Sequence, residues 1–255
     1  IPCVNEDSAL EEYSLREALA RSHTLREVVG DSPLETAALL RLSLAILHRV
    51  FGPQDTDAWA QLYGAGRWDA GPLDTYFNQW ADRFDLFHPN WPFYQAPDSR
   101  VKPKTVAVLF PEVASGNNAT LFDHRLDTDM LSLTPSAAAR GLVAAQAFGL
   151  AGLSGLPEKF TDGPCTRGAG FFAQGENLFD TLMLNLTAYP DPAGPLPTQA
   201  GDSPHWEAAG AGRWSGTPAG LLDYLTWQSR RIMLLPELTD GQWQVSHVTI
   251  APGRR

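Results

Sequence analysis

From residue 33 the chain runs PLETAALLRLSLAILHRVF, in which Arg41, His48 and Arg49 are the ionisable side chains after Glu35. Those three recur at i, i+7 and i+8, which gathers them into a narrow stripe on an otherwise apolar cylinder and predicts a helix buried on most sides. Ser32 at the cap, Pro33 in the first turn and Glu35 three residues on predict where it starts and a two-way cap between Ser32 and Glu35. Gly52-Pro53 predicts where it stops. Residues 9–29 read as a polar helical stretch with Leu15, Leu19 and Val28 as sparse apolar contacts. Residues 57–95 form a second helical unit dense in Trp, Tyr and Phe, and an aromatic stripe at helical spacing is expected to be core.

Thr134-Pro135 opens an alanine-rich helix, SAAARGLVAAQAF, whose small side chains predict close packing against a neighbour. It runs into GLAGLSGLPEKFTDGPCTRGAG, the most glycine-rich segment of the chain. A short strand, FFAQ, is expected next. A helix follows in which Leu178, Leu182 and Leu186 share one face. Residues 189–216 are a Pro/Gly loop anchored at Pro204-His205-Trp206. PAGLLDYLTWQSRR reads as helix, and RIMLLPE and QWQVSHVTI as two strands joined through Thr239-Asp240-Gly241. The pattern as a whole gives a mixed α/β fold, helix-leaning, with short strands and long loops.

Composition narrows this picture. Across 255 residues, 44% hydrophobic and with 8 Trp, there is enough apolar mass for one large domain or two small ones. No apolar run reaches the roughly 18 residues that a membrane span requires, and IPCVNEDSALEEY has neither a signal-peptide nor a transit-peptide pattern. A cytoplasmic location is expected. The opening Ile-Pro-Cys-Val resembles the inside of a strand and the chain stops just after one, so a longer parent chain is expected. Two cysteines, Cys3 and Cys165, make a disulfide framework implausible and a CxxC metal site impossible. The net charge of −10 argues against a free-standing nucleic-acid binder while leaving room for one subunit of a larger assembly.

The candidate chemistry is sparse. Six histidines are scattered along the chain with no GxSxG elbow and no HExxH pair. Asp123-His124 leaves a cytosolic hydrolase using His124 as the alternative reading. Asn118 and Asn185 match the glycan acceptor pattern but lack a secretion signal. The loop SGNNATLFDHR combines strong turn residues with Phe122 and reads as a gripping surface. In the glycine-rich segment, Lys159, Thr161, Thr166 and Arg167 sit among residues that let backbone N–H groups approach a polyanion. An exposed connector remains the other reading of that segment.

Seven blocks, DSPLETAALLRLSLAILHRVFGP, RFDLFHPNWPFYQ, SGNNATLFDHR, AAQAF, FTDGPCTRG, NLFDTLMLNL and LDYLTWQSRRIMLLPE, occur in this order over nearly the whole chain. Together they resemble the large subunit (CasA family) of the type I-E CRISPR surveillance complex Cascade. The resemblance implies a non-catalytic subunit without cofactor or metal, corresponding to residues 1–255 as the family's N-terminal domain, without its C-terminal four-helix bundle. It implies recognition of the protospacer-adjacent motif in target double-stranded DNA and support of R-loop formation. It further implies contact with the 5′ end of the crRNA and with other Cascade subunits, recruitment of the CRISPR helicase-nuclease, and no membrane partner. Carried over by position, Asn117, Asn118, Phe122 and His124 would touch the crRNA or the adjacent subunit. Gly152, Gly155, Lys159 and Thr161 would touch DNA at the motif.

Overall fold

The computed structural model describes residues 1–113, 131–208 and 216–254. Numbered in chain order, the N-terminal elements are β1 (Pro2–Asn5), β2 (Leu10–Glu12), α1 (Leu15–Ala20), β3 (Leu25–Val28) and α2 (Pro33–Phe51). Next come α3 (Thr56–Gly64), α4 (Ala70–Gln79), α5 (Ala81–Phe84), β4 (Lys104–Thr105) and α6 (Pro135–Phe148). The chain continues through α7 (Leu178–Leu184), α8 (Leu221–Leu225), β5 (Arg230–Thr239) and β6 (Gln242–Pro252). The mixed α/β class expected from the pattern is therefore present. The described residues fall into two compact units. One takes those of 1–84, 169–210 and 217–227, the other those of 85–168, 211–216 and 228–255.

The first unit is organised by α2. Ser32 Oγ accepts the Glu35 N–H at 3.2 Å and so caps the helix where the sequence predicts. A complete two-way cap forms at α1, where Ser14 Oγ accepts the Glu17 N–H at 3.1 Å and Glu17 Oε2 accepts the Ser14 N–H at 3.0 Å. The 9–29 stretch is a correction: only six residues of it form α1, and β2 and β3 flank them. Both strands pair antiparallel with β1, in the order β2-β1-β3. Cross-strand pairing supplies the backbone bonds that a short polar segment cannot secure as a helix.

Leu39, Ala45, Ile46 and Leu47 of α2 are buried with Leu73, Phe179, Leu182 and Leu222. The expected aromatic core is realised in part: Trp68, Tyr76 and Phe77 are buried while Tyr63 is 42% exposed. Trp68 stacks on Phe51 with ring centroids 5.1 Å apart and meets Phe179 edge-on at 5.0 Å. The polar stripe is absorbed at Arg41 and His48, while Arg49 stays exposed and pairs with Glu207 at 2.9 Å. His48 is 3% exposed; its Nδ1 lies 2.8 Å from the Leu44 carbonyl, and its Nε2 accepts the Thr187 N–H at 3.2 Å. Burial pushes its pKa down to about 4, so the ring is neutral. Arg41 donates to the carbonyls of Tyr224 and Leu225 at the end of α8, with its guanidinium 4.5 Å from the Tyr224 ring centroid. A cation there meets the negative end of the helix.

The second unit is built on the β5–β6 hairpin, with β4 on its outer side in the order β4-β6-β5. Asp240 and Gly241 both have positive φ, 51° and 77°, the backbone that a two-residue type I′ turn needs. Along β5, Arg230, Ile232 and Leu234 are buried while Arg231, Met233 and Leu235 are less so, the alternation of a strand with one face on a core. The register shifts between Leu235 and Pro236, where proline has no N–H to give the ladder. Helix α6 packs on β5 and β6. At Gly141 a Cβ would come within 2.4 Å of the Phe110 ring, which is the close approach the small residues of α6 predict. FFAQ (residues 171–174) forms no strand. Of the stretch predicted helical around Leu222, only five residues form α8.

Candidate nucleic-acid interface

The glycine-rich segment is a folded loop, held at its base and open at its tip. Its incoming and outgoing arms meet as an antiparallel bridge: Phe160 N–H donates to Gly152 O at 2.9 Å and Gly152 N–H to Phe160 O at 3.2 Å. The outgoing arm then lies along the last turn of α6. Gly163 donates to Gly149 O at 2.7 Å, Cys165 to Ala147 O at 2.9 Å, and Thr166 Oγ1 to Gly149 O at 3.1 Å. These bonds satisfy carbonyls that a helix end leaves unpaired. The glycines at the base are steric requirements, since a Cβ on Gly163 would sit 2.6 Å from Ala147 O and one on Gly149 2.7 Å from Ala145 O.

Arg230 of β5 locks this base. It is 2% exposed and reaches both arms, donating from Nη2 to Leu150 O at 2.7 Å and from Nη1 to Thr161 O at 2.8 Å. Its guanidinium also lies 4.7 Å from the Phe160 ring centroid. Burial pulls its pKa down to about 10, which leaves it charged at neutral pH. The backbone of Arg230 is fixed in turn by Gln146 of α6, whose Oε1 accepts the Arg230 N–H at 2.8 Å and whose Nε2 donates to Arg230 O at 2.9 Å.

A second brace holds the tip. Arg100 donates to both oxygens of Glu158 at 3.0 and 3.1 Å, and with Nε and Nη2 to Asp98 at 2.9 and 2.7 Å. Arg231 reaches Asp98 at 3.1 Å. Hydrogen bonds from Arg100, helped by the charge of Arg231, hold the Asp98 carboxyl well below the usual carboxylate range. Within the tip, Ser154 Oγ donates to Glu158 O and accepts the Leu156 N–H. Gly155 turns the chain at φ +80° with open space around its missing side chain. Leu153 beside it is 84% exposed.

The four residues expected to meet DNA therefore stand on one loop, with distinct physical roles. Gly152 is a bridge residue with room for a side chain, Gly155 makes the tip turn, Lys159 is exposed, and Thr161 lends its carbonyl to Arg230. Asn117, Asn118, Phe122 and His124 lie outside the described residues, and with them the hydrolase alternative built on His124. Asn185 is consumed structurally, its side chain bonding Ala173 O, Thr181 O and the Ala173 N–H.

Sequence reasoning missed Arg230, Arg100 and Asp98 as the supports of the loop. Arg230 is 80 residues from Leu150 and 69 from Thr161, and a lone arginine opening a strand carries no local signal. Among the described residues no group of three or more His, Cys, Asp or Glu side chains could hold a metal ion. A cleft of about 910 Å³ in the first unit is lined by His23, Arg67, Trp68 and Asp69 among mostly apolar and small residues. No helix of the described residues is long and apolar enough to cross a membrane.

A family model, CRISPR-associated protein Cse1, matches residues 1–255. The CRISPR-associated protein CasA/Cse1 of Thermus thermophilus is 37% identical over 240 residues, covering 89% of this chain and 46% of that protein. The crystal structure of Cse1 from Acidimicrobium ferrooxidans aligns over 100% of this chain and 50% of its own, with a TM-score of 0.83 and 32% identity. Thermobifida fusca Cse1 gives a TM-score of 0.83 at 31% identity over 99% of this chain and 50% of its own. A chain of a CRISPR RNA-guided surveillance complex, pre-nicking, gives 0.84 at 28% identity over 100% of this chain and 54% of its own. The chain thus spans about half the length of the relatives it matches.

Proposed function

This chain belongs to the CRISPR-associated Cse1 (CasA) family, and from that we propose that it serves as the DNA-recognition part of the large subunit of a type I-E Cascade surveillance complex. In this reading it carries no catalytic chemistry and works in the cytoplasm. The subunit recognises a short motif beside the target in double-stranded DNA, supports opening of the duplex and recruits the helicase-nuclease. Pairing with the crRNA reads the rest of the target, a division of labour also used by other RNA-guided effectors. The loop of residues 149–168 approaches the motif through its exposed tip, with Gly152, Gly155, Lys159 and Thr161 on the DNA side. The segment 115–125 contacts the crRNA 5′ end and the adjacent subunit through Asn117, Asn118, Phe122 and His124.

The observation that carries this reading is a loop braced at its base by Arg230 and at its flank by Arg100, yet presenting Leu153, Gly155 and Lys159 to solvent. Backbone set out rigidly with little side-chain bulk suits close approach to a base edge in a groove. The test uses the full-length subunit assembled with its crRNA and partner subunits. Gly155→Pro is expected to abolish preference for the motif while the complex still assembles, and Phe122→Ala to weaken assembly. Motif preference and assembly unchanged in both variants would refute the reading.

A further inference from the structure

We propose that Lys102, Lys104 and Lys159 form one phosphate-binding patch that grips the DNA backbone beside the motif; this rests on the reading of the glycine loop given above. The chain contains three lysines in all, and they are these three, within a protein of net charge −10. They belong to two segments far apart in sequence that the structure ties together. Arg100, two residues before Lys102, holds Glu158, the neighbour of Lys159, through two bonds of 3.0 and 3.1 Å.

A proline at 103 biases Lys102 toward extended backbone, and Lys104 enters β4 immediately after it. Side chains at i and i+2 of an extended segment share a side, with α-carbons roughly 7 Å apart. All three lysines are exposed.

The charges around them are divided by task. Residues 98–105, 149–168 and 230–231 hold seven basic side chains against three acidic ones. Every acid there is held by an arginine: Asp98 by Arg100 and Arg231, Glu158 by Arg100, Asp162 by Arg167. Arg230 is spent on backbone carbonyls. The lysines are the cations of this surface with no carboxylate partner among the described residues. A compact ammonium on a flexible stem suits a phosphate as a point charge, without reading sequence. In a chain this acidic, placing every lysine at the flank of one loop concentrates positive potential where a polyanion is to be held.

The experiment measures binding of the assembled complex to two duplexes over a salt series. One duplex carries the target with its motif, the other the same target with the motif scrambled. Lys102→Ala/Lys104→Ala and Lys159→Ala are expected to weaken both duplexes by the same factor. The slope of log affinity against log salt should become shallower by about 0.9 per lysine removed, and Lys→Arg at the same positions should restore it. An unchanged slope would overturn the patch. So would weakening confined to the motif duplex, or loss of crRNA with DNA binding of the surviving complex intact, which would mark the surface as an RNA or subunit contact. Gly155→Pro in the same series separates the two ideas: a lost motif preference with unaltered lysine slopes leaves the loop reading standing and sinks the patch, and the reverse pattern sinks the loop reading alone.

Discussion

Arg41 and Arg230 use one device in two regions and reach opposite ends with it. Each is a buried guanidinium that donates to backbone carbonyls distant in sequence and covers an aromatic ring, Tyr224 for Arg41 and Phe160 for Arg230. The carbonyls under Arg41 are consecutive, at the end of one short helix, so the contact closes a core. Those under Arg230 are eleven residues apart, at Leu150 and Thr161, so the contact pins the two ends of an excursion and leaves its middle outside. The position of the acceptors along the chain, rather than the chemistry of the donor, decides whether a buried arginine finishes a core or holds out a loop.

The most forceful way to break this comparison is to remove both donors in turn. Arg41→Ala and Arg230→Ala should each cost about 3 kcal/mol of stability, because buried carbonyls lose a charged donor, as read by chemical denaturation. Only Arg230→Ala should speed amide hydrogen exchange at Gly152 and Phe160 under native conditions. Equal exchange in the two variants would show that Arg230 is merely a core residue.

Acid offers a second contrast. His48 is buried neutral with its pKa pushed down to about 4, so the unfolded chain takes up a proton first as pH falls. The stability it contributes is present above about pH 6.5 and is lost between there and pH 4, by at most about 3 kcal/mol. Denaturation midpoints measured across this window should fall, and His48→Gln should flatten the fall. At the loop Asp98 and Asp162 are carboxylates held below their usual range and stay ionised through this window, so exchange at Gly152 and Phe160, corrected for intrinsic rates, should stay level across it.

Smaller changes sharpen the picture within the loop. Gly155→Ala places a side chain at φ +80° and should cost about 1 kcal/mol, while Gly152→Ala enters open space and should be near neutral. Glu158→Gln removes an exposed ion pair with Arg100 and should cost under about 1 kcal/mol. Its main effect should be a looser tip, with a difference from the parent that fades in high salt.

Local signals in the sequence carried the elements that depend on local physics. Ser32, Pro33 and Gly52 bound α2 as expected, Thr134 starts α6, and Asp240-Gly241 makes the hairpin turn. Where pairing with a distant strand decides, the pattern misled: Leu10–Glu12 and Leu25–Val28 are strands because β1 stands between them, a partner no periodicity announces. The candidate loop was legible as glycine-rich and basic. Its shape was not, since the bases of its two arms are fixed by an arginine more than sixty residues away and its tip by one nearly as distant. Gly149 and Gly163 looked like freedom for a ligand and prove to be clearance for the chain's own backbone.

The alternation along β5 has a consequence for how insertions would act. Arg230 points to the buried face and holds the base of the loop; Arg231, its neighbour, points the other way and joins the network at its flank. A strand is thus a ruler with two scales, and sliding it by a single residue would exchange the two arginines and misplace both supports at once. The shift between Leu235 and Pro236 stands between these marks and the far end of the hairpin. Length changes around Asp240-Gly241 can be absorbed beyond that point, whereas one residue gained or lost between Arg231 and Leu234 would move the loop without touching it.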